Sequence, residues 1–172
     1  GLEDQAALGR AYEVGDHINI DIFKDQIRAM RQWMADRGYQ NKPLIVNEYG
    51  VLMPVFFDGF GYEEVRDFML GTFDFFLTET DPQIGYPSDG NRLVQQFAWF
   101  SLNAAPYDSV TQLGFNGELF NHDTGEITPW GRDFADYVAP LVRQTDVSVD
   151  HVSLSPSLVV TTTGTSQSGS AT

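Results

Sequence analysis

An α/β fold, with parallel strands joined by helical crossovers, is what this 172-residue sequence predicts. Two short apolar runs read as strands, each too short and too rich in β-branched or aromatic residues for a helix. Amphipathic stretches with a 3.6-residue period separate and follow them, so the order is helix, strand, helix, strand, hairpin, helix. Two such strands cannot cover themselves. The pattern therefore predicts further strands beyond this sequence, and the opening on Gly1 in a polar stretch reads as a piece whose natural start lies upstream.

The first helix is predicted over residues 21–37, where Phe23, Ile27, Met30 and Met34 fall on one stripe. Asp21 suits its N-cap and Gly38 its stop. After Lys42-Pro43, the run Leu44-Ile45-Val46 predicts a buried strand that ends at Asn47-Glu48-Tyr49-Gly50. A Gly- and aromatic-rich loop over 51–61 leads to a second helix over 62–79, with the stripe Val65, Phe68, Met69, Thr72, Phe73 and Phe76. The Asp-, Pro- and Gly-rich stretch 80–91 is a loop. Residues 95–102, centred on Phe97-Ala98-Trp99-Phe100, form the second strand.

Residues 119–127 carry Asp123-Thr124-Gly125, a turn between two short extended pieces. Thr128-Pro129 supplies a cap and first turn for a third helix that ends near 141. Past 143 the composition turns to Ser, Thr, Val and Gly. The expected organisation is one unit over 1–143 and, over 144–172, a linker or the start of a truncated β-domain.

The formal charge of −14 and a pI near 4.3 make the surface repel phosphate backbones and anionic lipid. A nucleic-acid partner is therefore not expected, whereas a neutral sugar is not repelled; the acidity also serves solubility alone. The absence of cysteine rules out disulfides, thiolate zinc sites and a cysteine nucleophile. Three histidines without ligand spacing point to no metal, and nothing calls for a cofactor. No stretch approaches the roughly 20 apolar residues of a membrane span. There is no G-x-S-x-G elbow, and no G-x-G-x-x-G follows a strand.

Glu48 carries the chemical expectation. A carboxylate directly after a buried parallel strand sits at the rim where α/β sheets keep their reactive groups. Gly50 allows a sharp turn there, and the Tyr49 hydroxyl can orient a carboxylate. The same position also suits a Glu that merely faces solvent or pairs with an Arg.

The segment from Lys42 to Gly50 resembles the seventh strand of the retaining glycoside hydrolases built on an eight-stranded (β/α) barrel, the clan of cellulases, mannanases and β-galactosidases. Phe97-Ala98-Trp99-Phe100 is similar to the eighth strand, and residues 119–131 resemble the hairpin and helix that close such chains. The resemblance covers roughly residues 15–142 and implies the C-terminal part of a (β/α)8 TIM barrel, about its last two strand–helix units. The Asn47-Glu48 pair also matches the clan's acid/base after its fourth strand, but one further strand before the terminal helix leaves too little chain for that placement.

On this resemblance Glu48 is the nucleophile of O-glycosidic bond hydrolysis. Its partner acid/base is absent from the chain, and this piece alone is expected to be inactive and poorly stable. Trp99 is implied as the floor under the sugar, although a core Trp fits equally. Asn103 and His17 are further candidates, the first for a sugar hydroxyl and the second in a loop near the nucleophile. Glu63, Glu64, Glu79, Glu118 and Glu126 read as solvated carboxylates. The loop over 56–62 is either a wall of the cleft or a plug under the next helix. An extracellular or cell-surface location is implied. The competing reading is a non-catalytic carbohydrate-binding or scaffolding barrel that lost the chemistry.

Overall fold

The computed structural model describes residues 12–111 and 114–141. In them, α1 (Ile20–Asp36), β1 (Ile45–Tyr49), α2 (Tyr62–Thr78), β2 (Gln96–Trp99) and α3 (Pro129–Val138) follow one another, with 3-10 turns at Val14–Ile18 and Pro87–Asp89. The expected linker or β-domain start over 144–172 lies outside the described residues.

α1 begins two residues earlier than the Asp21 cap predicts. The Asn19 carbonyl oxygen of the side chain accepts from the backbone N–H of Asp21 (3.1 Å) and Ile22 (3.2 Å), and Asp21 becomes an acidic first-turn residue. The predicted stop holds. Gly38 takes φ +77°, its N–H donates to Ala35 O (3.0 Å), and Tyr39 N–H donates to Met34 O (2.7 Å), the paired bonds of a Schellman ending.

The apolar stripe of α1 differs from the expectation at one position. Met30 is 43% exposed, and Arg31 takes the inward place fully buried. Its guanidinium donates to the carbonyls of Ile84 (3.0 Å), Lys42 (3.0 Å) and Gln40 (3.3 Å), and burial pushes its pKa down from the ordinary value. One cation thereby ties α1 to the segment entering β1 and to the loop before β2. Arg31→Met is expected to lower stability by about 3 kcal/mol, because three carbonyls lose a charged donor at once. Urea unfolding checks this.

β1 and β2 pair in parallel through the α2 crossover, and α2 lies between α1 and α3. The broad apolar face of α2 buries Val65, Phe68, Met69, Thr72, Phe73, Phe75 and Phe76. Phe97, Trp99 and Tyr49 meet it from the sheet. The opposite sheet face stays open, with Ile45 52% exposed and Asn47, Glu48, Gln96 and Ala98 exposed beside it.

This architecture corrects the fold expectation. The described residues form three helices and a two-stranded parallel sheet, a small α/β domain and not a TIM barrel. A barrel needs a closed ring of tilted strands, and a sheet of order β1-β2 keeps two free edges. Among the described residues, no helix is long and apolar enough to cross a membrane.

The C-terminal elements are shorter than predicted. The hairpin over 119–127 reduces to one antiparallel bridge, Phe120 to Ile127. Asn121 sets its turn by accepting from Asp123 N (3.0 Å) and Thr124 N (2.9 Å). Thr128 caps α3 as expected, accepting from Gly131 N (3.0 Å) and donating to Glu118 O (2.6 Å), but the helix ends at Val138.

Candidate functional site

The ladder between β1 and β2 positions Glu48. Ile45 pairs with Gln96, Val46 with Phe97 and Tyr49 with Trp99, so β1 advances three residues while β2 advances two. The extra residue is a β-bulge. Strict alternation from Val46 would send Glu48 toward the helices. The bulge instead places Tyr49 there and leaves Asn47 and Glu48 on the open face. The strand-end carboxylate is thus directed away from the core by one inserted residue.

Tyr49 takes no part in orienting that carboxylate. Its hydroxyl lies 3.2 Å from Thr72 Oγ1, and its ring packs on Phe23, Phe76 and Trp99 at centroid distances of 5.4, 5.2 and 5.4 Å. Burial pushes its phenol well above the ordinary range. Trp99 is a core residue at 8% exposure. Its indole N–H donates to Gly117 O (2.8 Å), and its faces are taken by Tyr49, Phe68 and Phe73. Of its two readings, the sugar floor and the core Trp, the packing matches the second.

His17 is exposed and lines a separate concavity with Asp16, Asn19, Ile22, Phe23 and Gln26. Asn103 is exposed on the loop after β2, its carbonyl oxygen 3.0 Å from His122 Nδ1. Neither shares a concavity with Glu48.

The surface beside Glu48 combines residues of the two strand motifs with Leu52 and Phe115, which motif reading passed over. A concavity of about 290 Å³ is lined by Glu48, Tyr49, Gly50, Leu52, Phe100 and Phe115. The rings of Phe100 and Phe115 meet edge to face at 4.6 Å. Phe100 was legible in principle, since alternation that sends Phe97 and Trp99 inward sends Ala98 and Phe100 outward. Phe115 had no such signal, because it arrives from a loop.

Leu52 and Phe115 also wall a second concavity of about 650 Å³, completed by Met53, Pro54, Phe57, Tyr107 and Gly114. The loop over 56–62 divides between core and surface. Phe60 plugs the core at 1% exposure, whereas Phe56 and Phe57 stand 66% and 45% exposed. Buried Asn116 holds these walls. Its side-chain amide donates to Met53 O and Phe60 O, both at 2.9 Å, and its backbone N–H donates to Val51 O at 3.0 Å.

Glu118, read as a solvated carboxylate from sequence, is half-buried in a further concavity with Phe56, Tyr107, Phe115 and Trp130. Desolvation raises its carboxyl pKa from the ordinary 4.5. The folded state then holds that proton more tightly than the unfolded one, so its contribution to stability falls as pH rises through this range. Glu118→Gln is expected to raise the melting temperature at pH 7 and to leave it unchanged below about pH 4, where the wild-type carboxyl is already neutral. Thermal melts at the two pH values check the sign.

Among the described residues no cluster of His, Asp and Glu is arranged to hold a metal ion. Compared with family models, with curated proteins and with solved structures, the chain finds no match in any of the three.

Proposed function

We propose that Glu48 is the nucleophile of a retaining glycoside hydrolase acting on a β-linked oligosaccharide or polysaccharide. The observation that carries the reading is the β-bulge, which turns a strand-end carboxylate onto an open face beside the rings of Phe100 and Phe115. Apolar rings next to an exposed carboxylate suit a pyranose, which offers an apolar C–H face and a carbon to attack.

In the reaction, a Glu48 carboxylate oxygen attacks the anomeric carbon and forms a glycosyl ester. The bond from that carbon to the leaving oxygen breaks, and a second carboxyl gives that oxygen a proton. The same second group, now a carboxylate, takes a proton from water as the water displaces Glu48. Such pairs stand about 5–5.5 Å apart. Glu118, whose carboxyl burial raises, lines a concavity that does not include Glu48. The proposal therefore assigns the acid/base to a residue outside the described ones.

Two measurements on the intact protein test this. Proton NMR of the first-formed product is expected to report the substrate's own anomeric configuration. An activated 2-fluoro glycoside is expected to add one sugar mass to the peptide that contains Glu48. Inverted product, or a label on another residue, refutes the assignment. Sugar binding without turnover leaves the non-catalytic carbohydrate-binding reading.

A further inference from the structure

We infer that the concavity walled by Leu52, Met53, Pro54, Phe57, Tyr107 and Phe115 is a second subsite, holding the neutral sugar next to the one at Glu48 in an oligosaccharide chain. The inference rests on the proposed role of Glu48 and specifies the substrate as a chain of at least two sugars.

Continuity is the first argument. Leu52 and Phe115 line both concavities, so a ligand seated against Glu48 has its neighbouring unit directed along the same two side chains. Size is the second, since about 650 Å³ lies within the range of small-molecule sites. The third is charge. The chain carries −14 overall, yet among the described residues lining this concavity none is a carboxylate or a base, and Tyr107 brings a side-chain hydroxyl. Such a lining gives an ionic ligand no partner and leaves a neutral polyol undisturbed.

The walls are also preorganised. Three separate segments meet here, and backbone pairing joins them: Asn116 N–H donates to Val51 O (3.0 Å), and Phe115 N–H donates to Ala105 O (3.1 Å). The Asn116 side chain fixes Met53 and Phe60 from beneath. An exposed ring held by a clamped backbone costs little ordering on binding, which is the property a stacking platform needs. Phe56 extends the aromatic rim, with its ring 5.5 Å from Phe57 and 5.6 Å from Tyr107.

The test measures chain-length dependence. Glucose, mannose and xylose, and their β-1,4-linked di- to pentasaccharides, are titrated calorimetrically into the intact Glu48→Gln protein, and turnover of the same probes is followed in the wild type. In one series the trisaccharide is expected to bind at least about tenfold more tightly than the monosaccharide. Phe57→Ala is expected to bring that ratio to within about threefold of unity, and Phe57→Trp to retain it. Equal affinity along every series, or a length dependence that Phe57→Ala leaves intact, overturns the subsite. Turnover without length dependence refutes the subsite alone and spares Glu48. Binding that depends on both length and Phe57, with no turnover, supports the subsite and removes Glu48 from its proposed role.

Discussion

Glu48→Gln in the intact protein is expected to reduce glycoside turnover by about 10⁴-fold, which corresponds to a barrier increase of about 5.5 kcal/mol. The substitution keeps the volume and planarity of the side chain and removes the anionic oxygen that attacks. An amide oxygen is a far poorer nucleophile, and no described neighbour is placed to substitute for it. Folding is expected to be unaffected, within about 0.5 kcal/mol, because the side chain is exposed and makes no ion pair with a described residue. The combination is diagnostic: a large kinetic loss with an unchanged melting curve distinguishes a reacting group from a structural one. Glu126→Gln, in the exposed turn before α3, serves as a control and is expected to alter neither quantity. If Glu48→Gln keeps full activity on every glycoside that the wild type cleaves, the nucleophile assignment is refuted.

Periodicity made the elements legible, and chemistry at single positions made the difference elsewhere. The second helix was readable because six residues recur on one stripe, and the structure buries all six, with Phe75 added beside them. Gly38 and Thr128 were readable because their cap geometries demand particular residue types. Arg31 was hidden, since an Arg counts against an apolar stripe until three carbonyls converge on it from chain segments 9 to 53 residues away. Asn116 and Glu118 were hidden for the same reason, their surroundings being assembled from distant loops.

The bulge at Asn47-Glu48 was also beyond pattern reading. A one-residue insertion in the pairing is visible only once the partner strand is known. It nevertheless decides which way the candidate nucleophile faces. Trp99 carries the complementary lesson. A Trp in a strand fits a sugar floor and a core equally well by type, and its indole bond to Gly117 O inside the aromatic cluster distinguishes the two. The C-terminal part of a (β/α)8 barrel implied by resemblance was an extrapolation from two strands, and the described residues form a small α/β domain around a two-stranded sheet.

Gly50→Ala is expected to lower stability by about 4 kcal/mol, and the reason is space rather than backbone conformation. Sequence reading assigned Gly50 a sharp turn, but its φ lies outside the left-handed region. What the position requires is room. A Cβ built there would overlap the Phe100 carbonyl oxygen, a main-chain atom that cannot rotate away. Relief needs the ends of β1 and β2 to separate, which strains the hydrogen bond from Phe100 N–H to Tyr49 O (2.7 Å). Gly59 provides the contrast. It has φ +80° with nothing within 4 Å of a built Cβ, so Gly59→Ala incurs only the left-handed penalty of about 1–2 kcal/mol. Urea unfolding of the two variants side by side separates the explanations. A Gly50→Ala protein within about 1 kcal/mol of wild type would mean that the strand ends are not held this closely. The same separation would carry Glu48 away from Phe100 and Phe115, so any Gly50→Ala protein that folds is expected to lose turnover along with stability.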